Sequence, residues 1–573
     1  MKMTSFLVLL SVLIAAGRCA SAFAEPDFGP NVVIFDPNMN DVQNRFDAIF
    51  KRQERNEFGA NRYACFFKPG QYDLDAQLGF YMQATGLGQS PDDVVIAGAV
   101  RSMAGWMRGN ATVNFWRSAE NLSIVPKQRR GRADVWAVSQ GTSLRRIHVQ
   151  GDLNLWDGGW SSGGFLADSK IDGRLVSGSQ QQWLSRNADW GQWDGGVWNM
   201  VFVGVSNPPG GSWPSRPYTM VDQTPVIREK PYLYVDSSGK YFVMVPGLNT
   251  EGSVGSSWAK ESTPGKPAGK SISIDQFFLA HSERDNSATI NAALSAGKNL
   301  ILTPGIYHLA TPIRVTRPDT IVLGLGYATL IPTGAEPAMV ISDVDGVKIG
   351  GLIFDAGPVE TPSLLQVGES GASASHAANP VFLYDIVARA GGAEAGITAS
   401  FVTINSNNVV GDNVWLWRAD HGNGAGWKTN GVKNGLVVNG SDVTFYGLFV
   451  EHCQEYQTLW NGERGRVYFY QSEMPYDPPG QAEWSHDGIK GYASYKVADS
   501  VKTHEAFGLG IYSYFTAASV VADNAIETPA GTGIKMHNMV TIRLGGKPGS
   551  GMLNVINGRG GSETQVRPVR VSE

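Results

Sequence analysis

The feature that most constrains the fold is a phrase that the chain uses twice. Residues 67–74 read Phe-Lys-Pro-Gly-Gln-Tyr-Asp-Leu, and residues 302–309 read Leu-Thr-Pro-Gly-Ile-Tyr-His-Leu. Each phrase is followed by Gly-Leu-Gly, at 86–88 and at 324–326. Proline fixes φ and glycine supplies a turn, so a strand that reaches Pro-Gly ends there and a new strand follows. The repetition predicts a duplicated all-β unit.

Length and composition agree with this prediction. A chain of 573 residues is too long for one compact core, and implies two large domains or an elongated solenoid. It contains 69 glycines and only 17% charged residues, which favours many short strands over long helices. The net charge of −5, without a basic run, gives no indication of nucleic-acid binding.

The N-terminus is typical of a secretory signal. Lys2 precedes a short apolar run at 6–16, and Ala-Phe-Ala at 22–24 fits a cleavage site. The apolar run is shorter than the roughly 20 residues that span a bilayer. We therefore expect a secreted, extracellular protein that does not bind a membrane. Cys65 and Cys453 remain after cleavage, either paired or as two buried thiols.

The order of predicted elements extends the duplication. Apolar residues at helical spacing predict a helix within 41–55, and 282–296 has a similar pattern just before the second Pro-Gly phrase. Between the halves, 206–270 is rich in Gly, Pro and Ser and contains two alternating runs that predict a hairpin. We expect a signal peptide at 1–24, an N-terminal domain at 25–205, a connecting segment at 206–270 and a C-terminal domain at 271–573.

In the second half, short apolar runs recur with a spacing of roughly 20–50 residues, as in solenoids. Residues 344–354, Val-Asp-Gly-Val-Lys-Ile-Gly-Gly-Leu-Ile-Phe, have the inward apolar and outward polar alternation of a β-helix coil. A β-propeller is the rival, but no four-strand blade pattern is evident. The predicted fold is all-β, with two tandem right-handed parallel β-helices, each opened by a short helix.

Acidic residues follow predicted strands in consecutive coils of the second half. Glu451 and Glu473 are 22 residues apart, which is close to one coil, and stacked coils lie ~4.8 Å apart. Two neighbouring carboxylates raise the pKa of one of them, which suits a general acid. The alternative is that both glutamates are ordinary solvated turn residues.

Several phrases around these glutamates carry a family resemblance. They are Arg-Ala-Asp-His-Gly-Asn-Gly at 418–424, Gly-Leu-Phe-Val-Glu-His at 447–452 and Phe-Tyr-Gln-Ser-Glu-Met-Pro-Tyr-Asp-Pro-Pro at 469–479. The chain resembles a secreted microbial family often labelled as coagulation-factor-5/8-type-domain proteins. That family is in turn similar to glycoside hydrolase family 55, the β-1,3-glucanases built from two tandem β-helices.

The resemblance implies a polysaccharide hydrolase, with β-1,3-glucan as the expected substrate, a site between the two β-helices and inversion of configuration. Glu473 would be the general acid and Glu451 a supporting carboxylate. Gln180 and Gln182 from the first half would hold the attacking water, although the sequence does not decide which of them faces the cleft. No cofactor or metal is implied, and the protein is expected to act as a monomer.

The expected substrate-binding residues lie around these positions. Asp420 and His421 belong to the first of the quoted phrases, and the aromatic candidates for stacking on sugar rings are Trp183, Trp193, Trp417, Trp460 and Tyr476. Packing between the two β-helices is the alternative role for each aromatic residue.

Two other functions remain open at this point. A polysaccharide lyase or a polygalacturonase-type pectinase would use the same fold, although the chain matches the polygalacturonase motifs only weakly. A non-catalytic glycan-binding protein of the cell surface would use a tryptophan-rich cleft without cleaving the glycan.

Overall fold

The computed structural model describes residues 25–127, 133–259, 269–562 and 567–573, and within them nearly all regular secondary structure is β-strand, most of it in parallel sheets. The predicted signal peptide at 1–24 lies outside the described residues. Neither helix in the described ranges is long and apolar enough to cross a membrane.

The first half forms a 13-stranded parallel sheet. Its main path runs through Val32–Phe35, Tyr63–Phe67, Met82–Gly86, Arg117–Pro126, Ser143–Val149, Phe165–Val176, Gln182–Asp194, Asn199–Val203 and Tyr218–Val221. Four further strands pair beside this path: Gly70–Gln77, Val94–Arg101, Ala133–Val135 and Asp152–Asn154. The side chains that face inward form a buried apolar core of their own.

In the second half the chain alternates between two parallel sheets, and from Ile313 to Arg543 each circuit adds one strand to each sheet. The larger sheet contains Phe277–Ala280, Asn299–Leu302, Ile306–Leu309, Ile321–Pro332, Lys348–Asp355, Val381–Ala390, Val409–Arg418, Thr444–Glu451, Gly465–Glu473, His504–Ser513, Ile534–Arg543 and the antiparallel Val569–Val571. The smaller contains Ile313–Val315, Met339–Ile341, Leu365–Val367, Thr398–Ile404, Val432–Val438, Thr458–Trp460, Tyr495–Val497 and Ile526–Glu527. The predicted fold of tandem parallel β-helices is confirmed.

Both predicted helices are present, as α1 (Val42–Gln53) and α2 (Ser287–Ser295). Each lies between the first two strands of its half, and the tyrosine of each Pro-Gly phrase makes the same pair of hydrogen bonds. The Tyr72 hydroxyl donates to the carbonyls of Phe35 (3.0 Å) and Lys68 (2.7 Å). The Tyr307 hydroxyl donates to those of Ala280 (2.7 Å) and Thr303 (3.0 Å). The repeated phrase therefore fixes the same opening turn in both halves.

The predicted hairpin in the connecting segment is also confirmed. Tyr232–Val235 pairs antiparallel with Tyr241–Val245, and Lys270–Ser273 adds a third strand. Cys65 and Cys453, for which the sequence left two possibilities, are free thiols, and both are fully buried.

A network of buried charges joins the two halves. Arg145 donates to Asp385 (2.8 and 2.9 Å) and to Asp412 (2.6 Å), across the interface. Arg186 binds the same Asp412 (2.9 and 3.0 Å) and, from the connecting segment, Glu229 (2.7 and 2.8 Å). Such pairs form only when both halves present the partner at the correct position, so the network fixes the relative placement of the two β-helices.

Lys230 extends the network. It follows Glu229 in the connecting segment, and its ammonium binds Glu120 of the first half (2.7 Å) and Asp385 of the second (3.0 Å). The connecting segment is therefore part of the interface between the halves.

Replacing Asp412 by Ala tests the importance of this network. The change leaves two buried guanidinium groups short of a carboxylate, and we expect the free energy of unfolding to fall by about 3–5 kcal/mol. Asp73→Ala is the matched control, because Asp73 pairs with Lys127 at 2.7 Å on the surface, and should cost less than about 1 kcal/mol. Denaturant unfolding of both variants measures the difference, and equally small losses would contradict the role of the network.

Candidate active site

The candidate site lies where strands of the larger sheet end against the first half. Trp417, Glu451, Glu473 and Tyr512 occupy one register position on four adjacent parallel strands. Residues in register on neighbouring parallel strands project from the same face about 4.8 Å apart. The structure therefore brings Glu451 and Glu473 together, as the spacing of one coil predicts.

Glu451 is buried, and three donors bind its carboxyl group. Its Oε1 accepts hydrogen bonds from Gln471 Nε2 (2.8 Å) and Gln140 Nε2 (2.8 Å), and its Oε2 accepts one from Trp415 Nε1 (2.9 Å). Gln140 comes from the first half, so a side chain from each half holds this carboxyl group. Both of its oxygens are occupied by donors.

Glu473 is partly accessible to solvent, whereas Glu451 is buried. The Tyr476 hydroxyl donates to its Oε2, and the His452 ring packs edge-on against the Tyr476 ring with centroids 4.3 Å apart. The turn that carries Tyr476 is fixed because buried Arg418 forms a two-pronged pair with Asp477 at 2.8 Å. Glu473 is therefore a carboxyl group with one oriented donor and a partly open face.

The two carboxyl groups influence each other's protonation. Burial and the charge of Glu473 raise the pKa of Glu451, and burial and the charge of Asp420 raise the pKa of Glu473. The nearby His452 and the Tyr476 hydrogen bond act in the opposite direction on Glu473. Two neighbouring, largely desolvated carboxyls do not ionise together without cost, so the pair retains one proton to a higher pH than an ordinary carboxyl.

Asp420 and His421 form a pair close to His452. Asp420 Oδ1 is 2.9 Å from His421 Nδ1 and 4.0 Å from His452 Nε2. Both residues are partly accessible to solvent, as substrate contact requires.

The two predicted glutamines of the first half differ in their surroundings. Both are fully buried, but Gln180 uses its amide within the first half, accepting from Gly163 N (2.9 Å) and donating to the Val138 carbonyl (3.1 Å). Gln182 donates to the Ser162 carbonyl, and its Oε1 has no partner among the described residues. Of the two, only Gln182 has a polar atom left to offer.

Further polar atoms without a partner in the described ranges lie beside Gln182. They are Asn199 Oδ1, Gln471 Oε1 and the Tyr512 hydroxyl. Asn199 is the register partner of Gln182, and Gly510 is the register partner of Gln471. A Cβ on Gly510 would lie 2.4 Å from the Tyr512 hydroxyl and 3.4 Å from Asn199 Nδ2, so side chains of the two halves approach each other at Gly510. Buried polar atoms of this kind are normally satisfied by water or ligand.

Four of the five predicted aromatic platforms are corrected by the structure. Trp183, Trp193 and Trp460 lie inside the cores of the two β-helices, with at most 6% of each residue exposed. Trp417 is 2% exposed and packs between the halves. A side chain without an exposed ring face cannot stack on a sugar, so these tryptophans are packing residues. Tyr476 remains accessible at the site.

Known proteins resemble the chain over most of its length. A protein-family model described as the LAM55 pectate lyase-like domain matches residues 278–473. An exo-beta-1,3-glucanase from Streptomyces sp. (strain SirexAA-E / ActE) is 48% identical over 525 residues, 91% of this chain and 85% of the relative. The structure of sacteLam55A from Streptomyces sp. SirexAA-E superposes with a TM-score of 0.92 at 46% identity, covering 96% of this chain and 98% of that one.

The chain belongs to glycoside hydrolase family 55. A sacteLam55A variant in which a glutamate is replaced by alanine, solved in complex with glucose, superposes with the same TM-score of 0.92 and the same coverage. The family-model match begins in the strand Phe277–Ala280 and ends at Glu473, so it contains both carboxyls of the site.

In this family 55 member, the sequence reasoning missed the residues that bind Glu451. Gln140 and Trp415 lie outside the quoted phrases, Gln471 lies inside one of them, and Gln140 is 311 positions from its partner. Gln471 could have been identified from the sequence, because it precedes Glu473 by two residues on one strand and so points to the same face. Gln140 could not, because only the packing of the two halves places it there.

Proposed function

We propose that this family 55 protein is a secreted β-1,3-glucan hydrolase with Glu473 as its general acid. The observation that carries the proposal is the pair of adjoining carboxyls, one partly open and one fully bound by donors. Support for the substrate comes from the 48% identical relative, which is named an exo-beta-1,3-glucanase. The leader-like residues 1–24 support secretion.

Glu473 suits the role of acid because the pair retains a proton and Glu473 is its accessible member. In glycoside hydrolysis the acid protonates the oxygen of the leaving sugar while positive charge develops at the anomeric carbon. Glu451 behind it has both oxygens occupied by its three donors, so Glu473 is the member of the pair whose proton can reach the leaving oxygen. After the bond breaks, Glu473 is left as a carboxylate that accepts the Tyr476 hydroxyl.

Glu451 is badly placed to act as a nucleophile, because both of its oxygens accept hydrogen bonds and the side chain is buried. Direct displacement by water therefore fits this site better than a covalent intermediate, despite the close spacing of the two carboxyls. We propose that the unpartnered oxygens of Gln182 and Gln471 accept hydrogen bonds from that water. Once the water has bonded to the anomeric carbon and the bond to the leaving oxygen has broken, its surplus proton passes to bulk solvent, and Glu473 takes a proton back from solvent. The product would then have inverted configuration.

An exposed aromatic ring can bind a longer glucan by stacking, and the first half supplies such a ring. Trp160 is 60% exposed, the largest exposed fraction among the large apolar side chains of the described ranges. It lies two residues before Ser162, whose carbonyl accepts hydrogen bonds from both Gln140 (3.3 Å) and Gln182. We propose that Trp160, rather than the four buried tryptophans, stacks on a glucan ring beyond the cleaved bond.

Glu473→Gln tests the acid directly. The amide keeps the shape of the side chain but has no proton to transfer, so we expect kcat on β-1,3-glucan to fall by about 10²–10⁴-fold while glucan binding is retained. An aryl β-glucoside with an acidic phenol as leaving group needs no protonation and should lose much less.

The same experiment separates the alternatives. A wild-type protein that binds glucans but hydrolyses none would be a glycan-binding protein, and an unsaturated product from a uronate polymer would indicate a lyase. Equal losses on glucan and on the activated glucoside would contradict the acid role of Glu473.

Trp160→Ala tests the platform. Loss of a stacking contact of about 1 kcal/mol should raise KM for a long β-1,3-glucan roughly fivefold and leave hydrolysis of a short aryl glucoside unchanged. Trp160→Phe, which retains a ring, is the matched control and should restore most of the affinity. Unchanged KM for the polymer in the alanine variant would refute the platform.

A further inference from the structure

A short segment of the first half inserts into the second half and contacts Trp417 and His421. It follows α1 and contains Glu57 and Phe58. The Phe58 ring lies parallel to Trp417 with centroids 6.2 Å apart and edge-on to His421 at 5.5 Å. The Glu57 carbonyl accepts a hydrogen bond from the Tyr81 hydroxyl (2.6 Å), which fixes the backbone of the segment.

The second half has a socket for this segment. Gly392 and Gly422 lie on the turns after two neighbouring strands, with φ of +88° and +87°. A Cβ at Gly392 would lie 2.5 Å from the Phe58 ring, and one at Gly422 would lie 2.7 Å from it. Both positions therefore need glycine for their conformation and for the space that Phe58 occupies. The turn that contains Gly422 also carries Asp420 and His421.

The contact continues through charged groups to the site. Glu57 Oε1 lies 2.8 Å from His421 Nε2, and the other ring nitrogen lies 2.9 Å from Asp420 Oδ1. With a carboxylate at each nitrogen, the imidazole is held as a cation in one orientation. Burial opposes that charge, but the hydrogen bonds with Asp420 and Glu57 raise the pKa of His421 to about 10.

Asp420 connects this pair to the acid. Its Oδ1 is 4.0 Å from His452 Nε2, and its negative charge acts on Glu473. The other titratable groups that face Glu473 are Glu451, His452, Tyr476 and Tyr512.

We propose that Glu57 is a positioning residue for the general acid: through His421 it fixes the orientation and the charge balance of Asp420 beside Glu473. This inference rests on the proposed function, because it assigns Glu57 a part in the action of the same acid. Glu57 touches neither Glu473 nor the cleft glutamines, so its effect is transmitted by His421 and Asp420. The first half thereby reaches the acid at a second point, besides the Gln140 contact with Glu451.

Glu57→Gln tests the inference, because it removes the charge and keeps the shape. The net charge of the three groups Glu57, His421 and Asp420 is −1, and it becomes zero in the Glu57→Gln variant. Less negative charge near Glu473 lowers its pKa, and a general acid must be protonated, so the fall of kcat on the basic side should move to lower pH. Loosening of Asp420 should also reduce kcat on the order of tenfold, with KM within about twofold of wild type.

A double-variant cycle distinguishes positioning from general stabilisation. If Glu57 acts through His421, the variant with both Glu57→Gln and His421→Asn should be no slower than His421→Asn alone. Glu54→Gln, which removes the same charge three positions earlier, is the matched control and should leave the pH profile unchanged. Additive losses, or a Glu57→Gln profile identical to wild type, would overturn the inference.

Imidazole NMR provides a readout that needs no activity. His421, assigned by its absence in His421→Asn, should remain protonated through about pH 5 to 8 in the wild type and titrate at lower pH in Glu57→Gln. An unchanged His421 titration would also overturn the inference. A wild type that hydrolyses no glucan would refute the proposed function, and the NMR result would then still decide whether Glu57 controls His421.

Discussion

The buried ion pairs between the two halves are the constraint on which the rest of the structure depends. Arg145 and Arg186 of the first half share Asp412 of the second, and all three side chains are buried. Buried pairs contribute little net stability compared with apolar packing, but they penalise every arrangement in which the partners fail to meet. Gln140 can reach Glu451 only because that placement is fixed.

The two halves begin alike and contribute unequally. The tyrosine of each Pro-Gly phrase closes the same turn with the same two hydrogen bonds. The candidate carboxyls nevertheless belong to the second half, whereas the first half contributes amides, an exposed tryptophan and the Glu57 segment. Duplication provides two β-helices, and the proposed chemistry uses side chains from both of them.

The sequence was a good guide to everything that depends on local pattern. The strands, both helices, the hairpin and the neighbouring positions of Glu451 and Glu473 follow from periodicity, turn residues and the length of one coil. No comparable sequence pattern marks which side chains are buried or which of them contact the other half. Trp183 and Trp460 look as available for sugar as Trp160 does, yet the first two fill cores and only the third is exposed. The choice between Gln180 and Gln182 likewise depends on their hydrogen bonds. The amide of Gln180 bonds to the backbone through both its oxygen and its nitrogen, whereas the amide oxygen of Gln182 has no partner among the described residues.

The central claim is that the two halves share one reaction. The second half delivers the proton, and side-chain amide oxygens accept hydrogen bonds from the attacking water. The anomeric configuration of the first-formed sugar tests this claim most directly. Proton NMR during early hydrolysis of a β-1,3-glucan should show the α-anomer before mutarotation, because water attacks the face opposite the leaving group. The β-anomer as first product would contradict the account, since it would require a nucleophile where the structure places a fully hydrogen-bonded Glu451.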